Sequence, residues 1–310
     1  MKISIIIPCY NEELVIEKTY QRVSNVIKNN NYNDYEILFI NDGSRDKTLN
    51  ILEDIAKIDF NVKIISFSRN FGHQAAVSAG INECNGDIAI IIDADLQDPP
   101  ELFPDMIKLY LEQNANVVYA VRKKRKGESL FKKLTAKIFY RLLNSLSEIQ
   151  LPLDTGDFRL IDRKVIDTFK NLKEKNKYIR GLISWVGFKQ IPFYYEREPR
   201  LAGETKYPLF KMIKFATRGI LYFSKKPLKL SIAIGLLSIF IGLGLMIYVF
   251  IAKFSNYIKT VPGWASIIIT TIFFGGVQLL SIGVLGEYIG SIFDEVKNRP
   301  EYIIDKKINF

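Results

Sequence analysis

Two long stretches near the C-terminus contain no charged residue, and they limit the folds open to this chain more than any other feature. The first runs from Leu230 to Ala252 and the second from Thr260 to Gly286. At about 1.5 Å of rise per residue, the first would form a helix roughly 34 Å long, against a bilayer core of roughly 30 Å. We therefore predict two transmembrane helices, over residues 230–252 and 261–286. A pair of buried helices in a soluble protein is the alternative interpretation.

The basic residues lie mainly outside these stretches. The chain has 43 Lys and Arg against 33 Asp and Glu, a net charge of +10, and most of this excess precedes Leu230. Only Lys253 and Lys259 lie between the two stretches, whereas basic residues crowd the approach to the first. Because positive charge favours the cytoplasmic side, we predict a multi-pass protein of the inner (cytoplasmic) membrane with its main domain and both termini in the cytoplasm. The N-terminal apolar run is too short for a signal peptide, and two cysteines without metal-binding spacing suit reduced thiols.

The part before the apolar stretches alternates short β-rich runs with helical patterns. The β-rich runs are Ile3–Ile7, Glu36–Ile40, Val62–Phe67, Ile88–Ile92 and Val117–Val121. This alternation predicts right-handed βαβ units and a mostly parallel sheet, in which ligands bind at the carboxyl ends of the strands. We predict an α/β domain over residues 1–206, a juxtamembrane amphipathic helix over 207–229 and a cytoplasmic tail over 287–310.

The most informative polar cluster is Asp93-x-Asp95, which follows the fourth β-rich run. Two carboxylates this close repel each other unless a cation neutralises them, and hard oxygen ligands select Mg²⁺ or Mn²⁺. Gln97 can add a neutral oxygen. The cluster indicates a metal that holds a diphosphate and stabilises its departure. The sequence has no P-loop, and its closest likeness to a dinucleotide fingerprint, Gly242-x-Gly244, lies inside an apolar stretch, which argues against an NTPase or a dehydrogenase.

Six motifs, taken in order, resemble those of one enzyme family. They are Pro8-Cys-Tyr10-Asn-Glu12, Asn41-Asp42-Gly-Ser, Ser68-Arg-Asn-Phe-Gly, Asp93-Ala-Asp95-Leu-Gln97, Thr155-Gly-Asp157-Phe-Arg159 and Gly203-Glu-Thr-Lys206. The set resembles the polyprenyl-phosphate glycosyltransferases of inverting glycosyltransferase family 2, above all the bactoprenol glucosyltransferase and dolichol-phosphate mannose synthase group. The resemblance extends through the second apolar stretch. It implies a GT-A-type nucleotide-sugar-binding domain with a mostly parallel sheet, amphipathic interfacial helices and a two-helix transmembrane hairpin.

The resemblance also implies roles for individual residues. It assigns nucleotide contacts to Pro8, Tyr10, Glu12, Asp42 and Asp93, metal ligation to Asp93, Asp95 and Gln97, catalysis to Asp95, Asp157 and Arg159, and acceptor-phosphate contacts to Arg200 and Lys206. His73 departs from the family pattern, in which Lys commonly follows Phe-Gly. We interpret this lone histidine as structural and leave it outside the predicted site.

The implied reaction moves a hexose from a nucleotide sugar to a polyprenyl phosphate, giving a lipid-linked sugar donor for cell-envelope glycosylation. UDP-glucose and undecaprenyl phosphate are the leading predictions, with UDP-N-acetylglucosamine and GDP-mannose still open. A monophosphate acceptor with a second pKa near ~6 is already largely anionic at neutral pH, so no strong general base is required. The assignment of Asp157 as a base is therefore a hypothesis.

Two alternatives belong to other functional classes. A processive polysaccharide synthase shares the nucleotide-sugar domain, but its Gln-x-x-Arg-Trp motif is absent and two spans are too few for a pore. A catalytically inactive membrane scaffold is the second alternative. The sequence argues against it, because every charged position that the predicted chemistry would use is occupied.

Two basic stretches are predicted to lie on the membrane surface. In residues 130–142 apolar side chains recur every four residues beside a basic line, and residues 209–223 repeat the pattern. The predicted interface residues are Lys133, Lys137, Arg141, Lys211, Lys214 and Arg218. Solvated helix faces packed on the sheet are the alternative, and no recognition motif supports a nucleic-acid partner. Gly286-x-x-x-Gly290 adds the prediction of a homo-oligomer.

Overall fold

The computed structural model describes residues 1–122, 155–174, 177–196, 226–254 and 263–310. These residues fall into two compact units. One contains a β-sheet with its flanking helices and includes residues 298–310; we call it the sheet unit. The other consists of two long helices, which we call the helical hairpin.

Eight strands form a single sheet in the described part of the sheet unit. In chain order they are β1 (Ile3–Cys9), β2 (Tyr35–Asn41), β3 (Val62–Phe67), β4 (Ile88–Ile91), β5 (Val117–Arg122), β6 (Thr155–Asp162), β7 (Gln190–Tyr195) and β8 (Ile304–Ile308). Their order across the sheet is β7-β5-β6-β4-β1-β2-β3-β8. Four neighbouring strands, β4, β1, β2 and β3, run parallel. The prediction of a mostly parallel α/β sheet is therefore confirmed.

Nearly continuous apolar runs explain these four strands, because strands buried on both faces need apolar residues at every position. In β1 all seven residues are buried, and Ile5 lies opposite Ile37 of β2 and Ile90 of β4. Helices cover the faces of the sheet: α1 (Ile16–Asn29), α2 (Thr48–Ile58), α3 (His73–Glu83), α4 (Phe103–Gln113) after a 3₁₀ turn (Pro100–Leu102), α5 (Arg163–Lys170) and α6 (Ile179–Trp185).

Strand β6 is antiparallel to both of its neighbours, β4 and β5. Arg159 of β6 lies opposite Ile91, the last residue of β4. Since β6 runs the other way, its first residues lie at the edge where β4 ends. This reversal brings Asp157 to the same edge as the loops that follow the parallel strands.

The end of the chain has a structure that was not predicted. Residues 287–310 were predicted to be a tail, but the preceding helix continues to Val296 and residues 304–308 form β8, antiparallel to β3. The helix ends before Asn298, which has a left-handed backbone with φ of 50°, and Pro300 prevents its continuation. Two half-buried isoleucines bracket the exposed residues of β8, a pattern too short to identify a strand from sequence alone.

The helical hairpin consists of α7 (Lys226–Phe254) and α8 (Trp264–Val296). Both helices are long and apolar enough to cross a membrane by length and composition, over Leu228–Leu245 and Thr270–Val296, and almost no residue in these windows is buried. Gly242 of α7 faces the Phe274 ring of α8, which would lie 3.6 Å from an added Cβ. The predicted juxtamembrane segment lies outside the described residues as far as residue 225.

Candidate functional site

The loops after β1 and β2 are joined by hydrogen bonds at the carboxyl edge of the sheet. Asn11, which has a left-handed backbone with φ of 54°, donates its N–H to Ser44 Oγ at 3.0 Å and accepts from Arg45 N–H at 2.8 Å. The N–H of Glu12 donates to Thr48 Oγ1 at 2.8 Å. These bonds fix the backbone beside the predicted nucleotide residues Pro8 and Tyr10, the first in β1 and the second directly after it.

Asp42 is a buried carboxylate that neutral donors of the next loop surround. Its oxygens accept from Phe71 N–H at 2.7 Å, Gly72 N–H at 2.9 Å and Asn70 Nδ2 at 2.9 Å. Burial raises the pKa of Asp42, and the backbone donors only partly oppose this effect. Gly43 follows with φ of +63°, and a Cβ there would come within 2.4 Å of the Arg69 carbonyl carbon, so this contact between loops requires glycine.

Asp93 and Asp95 follow β4 in a tight turn. The Asp95 carboxylate accepts from the Gln97 N–H at 3.2 Å, and Leu96 between them has a left-handed backbone with φ of 56°. Burial raises the pKa of Asp93 to about 6, with further contributions from nearby carboxylates and an opposing one from His73. The Asp93 carboxyl group is therefore costly to ionise where it lies, mainly because it is withdrawn from water, and a bound cation would lower that cost.

Asp157 makes the strongest ion pair of the site. Arg180 of α6 binds it with both arms of its guanidinium, Nε to Oδ1 at 2.7 Å and Nη2 to Oδ2 at 3.1 Å. Its Nη1 also donates to the Thr155 carbonyl at 2.9 Å. Burial alone would raise the pKa of Asp157, but Arg180 and His73 outweigh burial and hold it well below its ordinary value. The carboxylate is therefore ionised and fixed in orientation.

His73, the first residue of α3, lies between the two carboxylates. Its Nε2 is 2.9 Å from Asp157 Oδ2 and 3.7 Å from Asp93 Oδ1. Burial disfavours the imidazolium, yet these carboxylates raise the pKa of His73 to about 9. Its position directly after the loop that follows β3, at the same edge as the other clusters, was the sequence signal that could have identified it.

Arg159 and Arg122 lie on the β6 and β5 side of the site. Arg159 is only 4% exposed and donates through Nη2 to the Gly156 carbonyl at 3.0 Å. Burial lowers its pKa to about 10. Arg122 Nε donates to the Tyr195 hydroxyl at 3.5 Å, and that hydroxyl donates to buried Asp98. Arg122, Tyr195 and Arg180 were not predicted, because residues from β5, β7 and α6 carry no motif that joins them.

The structure brings the predicted nucleotide, metal and catalytic residues together at one edge of the sheet. The predicted acceptor-phosphate and interface residues lie outside the described residues: Arg200, Lys206, Lys133, Lys137, Arg141, Lys211, Lys214 and Arg218.

The described residues contain no group of three or more His, Cys, Asp or Glu side chains arranged to hold a metal. Mg²⁺ and ions like it are usually held by one or two carboxylates together with substrate phosphates, rather than by a cage of protein ligands. Asp93 and Asp95, two carboxylates in one turn at the edge of the sheet, fit that mode of binding.

Comparison with protein families gives two matches. Residues 4–169 match the model of glycosyl transferase family 2, and residues 226–292 match that of the GtrB C-terminal hairpin. The chain belongs to glycosyl transferase family 2. The resemblance described from its motifs is thereby confirmed, and the protein is a glycosyltransferase with a GtrB-type C-terminal hairpin.

Relatives of this glycosyltransferase match along its whole length. It is 54% identical over 304 residues to the uncharacterized glycosyltransferase YkcC of Bacillus subtilis, a match that covers 98% of this chain and 93% of that protein. It is 41% identical over 308 residues to the SfII prophage-derived bactoprenol glucosyl transferase of Shigella flexneri, covering 99% and 98%. Among solved structures, S. aureus TarS 1-349 in complex with UDP-GlcNAc matches with a TM-score of 0.45 and 18% identity, covering 72% of this chain and 66% of that one.

Proposed function

We propose that this glycosyltransferase moves a hexose from a nucleotide sugar, UDP-glucose in the first instance, to a polyprenyl phosphate such as undecaprenyl phosphate. The observation that carries the proposal is the convergence of Asp42, which follows β2, Asp93, which follows β4, and Asp157 of β6 on one edge of the sheet. The full-length similarity to a bactoprenol glucosyl transferase supports the acceptor class. The product is a lipid-linked sugar that later enzymes use to glycosylate the cell envelope.

The nucleoside binds at the Asp42 side of the edge. Pro8 of β1 lines it together with Tyr10 and Glu12 from the loop that follows, and Asp42 accepts hydrogen bonds from the N–H groups of the base. Three neutral donors already orient the Asp42 carboxylate, so its remaining acceptor positions are fixed in space before the ligand arrives. This preorganisation lowers the entropy lost on binding.

The diphosphate binds at the Asp93 side. Asp93, Asp95 and Gln97 would hold Mg²⁺ or Mn²⁺, which supplies positive charge against the negative charge that develops on the leaving diphosphate. Arg159, which lies opposite Ile91 at the end of β4, adds a buried cation close to this site. On the acceptor side, Arg200 and Lys206 hold the lipid phosphate, which attacks the anomeric carbon from the face opposite the leaving group.

Asp157 acts as a positioning group rather than as a general base. A carboxylate whose pKa is held well below its ordinary value accepts a proton poorly. Both of its oxygens are engaged by Arg180, and His73 also lies within 2.9 Å. The acceptor phosphate brings its own negative charge, so the reaction requires no base.

Chain connectivity supports a topology with both ends of the hairpin on one side of the membrane. The sheet unit contains β1 to β7, which precede the hairpin, and β8, which follows it and pairs with β3. A folded sheet cannot lie on both sides of a bilayer, so the chain crosses twice and returns. The positive-inside rule places this side in the cytoplasm, where the basic stretches around Lys137 and Lys214 meet anionic lipid. A homo-oligomer through Gly286 and Gly290 stays a prediction.

The deciding experiment incubates the purified full-length protein with undecaprenyl phosphate and a panel of labelled nucleotide sugars. We expect one labelled glycolipid, formed from UDP-glucose with Mg²⁺ or Mn²⁺, lost with EDTA and restored by added metal. Asp105, an exposed aspartate on α4, provides a matched control: Asp95→Asn should slow product formation by about 10²- to 10³-fold, and Asp105→Asn should leave it unchanged. A water-soluble polymer as the product would favour the polysaccharide synthase, and no transfer from any donor would favour the inactive scaffold.

A further inference from the structure

The end of the chain lies against the loop that holds Asp42. That loop, Ser68–Gly72, supplies the hydrogen bonds to the Asp42 carboxylate from Phe71, Gly72 and Asn70 described above. Residues 301–303, which precede β8, contact both the start of this loop and the helix that follows it. We call residues 301–303 the tail segment.

A row of aromatic rings connects the tail segment to the loop. The Tyr302 ring stacks on the Phe67 ring, with centroids 4.9 Å apart and planes 12° apart. Phe67 in turn meets the edge of Phe71, with centroids 5.8 Å apart. Phe71 is the residue whose N–H lies 2.7 Å from Asp42 Oδ1. Displacing the Tyr302 ring therefore removes the stacking partner of Phe67. Phe67 is one of the side chains that pack against the Phe71 ring, another being Arg69 with its guanidinium 4.0 Å from the ring centroid.

Hydrogen bonds hold the tail segment at both ends of the loop. At the start of the loop, Ser68 N–H donates to the Ile303 carbonyl at 3.1 Å. Beyond its end, on α3, Ser78 Oγ donates to Glu301 Oε2 at 2.9 Å and Asn82 Nδ2 donates to the Tyr302 hydroxyl at 3.2 Å. The tail segment thus connects the end of β3 to α3 and fixes the distance that the loop must span.

Strand β8, which follows the tail segment, makes contacts away from the loop. Lys306 pairs with Glu53 of α2 at 2.6 Å and Lys307 with Glu83 of α3 at 2.7 Å, and both lie opposite residues within β3. These contacts attach β8 to the edge of the sheet without touching the loop. The strand therefore offers a control in which the sheet edge is weakened while the support of the loop is kept.

We propose that Tyr302 is a positioning residue for nucleoside binding, which it governs through the loop Ser68–Gly72 and the Asp42 carboxylate. The proposal rests on the assignment of Asp42 to the nucleoside in the proposed function. Because the tail segment follows α8 closely in the chain, the polypeptide that leaves the helical hairpin is the same one that shapes the nucleotide site.

The test compares Tyr302→Ala with Lys306→Ala in the full-length protein. Amide hydrogen exchange at Phe71 and Gly72 reports the loop without any ligand, and titration with UDP and with GDP reports the nucleoside site. We expect Tyr302→Ala to accelerate exchange at both amides by about tenfold. It should also weaken binding of the preferred nucleotide about fivefold and raise the KM for the nucleotide sugar, with kcat within about twofold.

Milder variants keep the comparison informative if Tyr302→Ala does not fold. Tyr302→Phe retains the stacked ring and should bind the nucleotide within about twofold of the wild type, while Tyr302→Leu should show an intermediate loss. Lys306→Ala should leave exchange at Phe71 and nucleotide binding unchanged.

Two outcomes would overturn the proposal. Unchanged exchange at Phe71 and Gly72 in the Tyr302→Ala and Tyr302→Leu variants would show that the tail segment does not hold the loop. Equal effects of Tyr302→Leu and Lys306→Ala would show that β8 acts only on stability. A wild-type protein that binds neither UDP nor GDP refutes the nucleoside assignment itself, and the exchange data then show separately whether the loop is held.

Discussion

Two halves of the same sheet edge use aspartate in opposite ways. Around Asp42 the donors are neutral amides, and burial raises the pKa of the carboxyl group. Around Asp157 the partners are the guanidinium of Arg180 and the imidazole of His73, and the pKa is held far down. The two carboxylates are both buried, at 2% and 6% exposure, so burial does not distinguish them. Their partners do.

The difference indicates a division of labour. A carboxylate oriented by neutral groups presents acceptors of fixed direction, which suits recognition of a base. A carboxylate bound to cations belongs to a charged network, which suits the diphosphate and the acceptor phosphate. We therefore expect substitutions on the Asp42 side to change substrate affinity and those on the Asp93 and Asp157 side to change turnover or stability.

The largest effect is expected from Asp95→Asn, which removes one charge from the predicted metal site. Turnover should fall by about 10²- to 10³-fold, because the leaving diphosphate loses much of its compensating charge. Initial rates of glycolipid formation at saturating donor measure the effect, with Asp105→Asn as the surface control. If Asp95→Asn turns over within a few-fold of the wild type, Asp95 does not hold the metal that compensates the leaving diphosphate.

Arg180→Met is expected to cost about 3 kcal/mol of folding free energy, because it leaves the buried Asp157 carboxylate without its main partner. Thermal melting of the detergent-solubilised protein measures the loss. Lys57→Met is the control, since its ion pair with Asp54 is exposed on both sides, and its melting temperature should match the wild type.

A second substitution tests the cause of that loss. Adding Asp157→Asn to Arg180→Met removes the uncompensated charge and should recover part of the stability. An Arg180→Met protein that melts like the wild type would mean that Asp157 does not depend on the ion pair.

The affinity for Mn²⁺ in the presence of UDP should fall about tenfold per pH unit below pH 6. The sign follows from the raised pKa of Asp93, about 6: below it the carboxyl group is protonated, and a proton must leave before the metal can bind. Electron paramagnetic resonance of free Mn²⁺ measures the affinity between pH 5 and 7. The Asp93→Asn variant should bind Mn²⁺ weakly, with an affinity that does not change between pH 5 and 7. An affinity of the wild type that does not change with pH would contradict the assignment of Asp93 as a metal ligand.

The smallest effect is expected from Asp42→Asn. The amide oxygen keeps part of the hydrogen bonding to Phe71 and Gly72 but offers the base a poorer acceptor. The KM for the nucleotide sugar should rise about fivefold, with kcat within about twofold. Steady-state kinetics at varied donor concentration separate the two constants. A loss of kcat comparable with that of Asp95→Asn would show that Asp42 also acts in turnover, and that the two sides of the edge do not have separate functions.

Much of the fold was predictable because its signals are local. The isoleucine-rich runs of β1 and β4 are long enough to identify buried strands, and the aspartates that follow β2 and β4, Asp42 and Asp93, belong to motifs that can be recognised from the sequence alone. The strands β6, β7 and β8 were not predicted. Their pairing joins segments far apart in the chain: Phe67 of β3 lies opposite Ile304 of β8, a contact that no local pattern encodes.

The sequence by itself determined the family, the mostly parallel α/β sheet and the two long apolar helices, because each follows from motifs or from apolar runs read along the chain. The tertiary structure alone decided which charges meet. Arg180 reaches Asp157 at the start of the reversed strand β6 only because α6 packs on α3 and α5, and His73 joins them only because α3 begins at the same edge. The pKa of a buried carboxylate depends on groups within a few ångströms in space, and spacing along the chain does not reveal those neighbours.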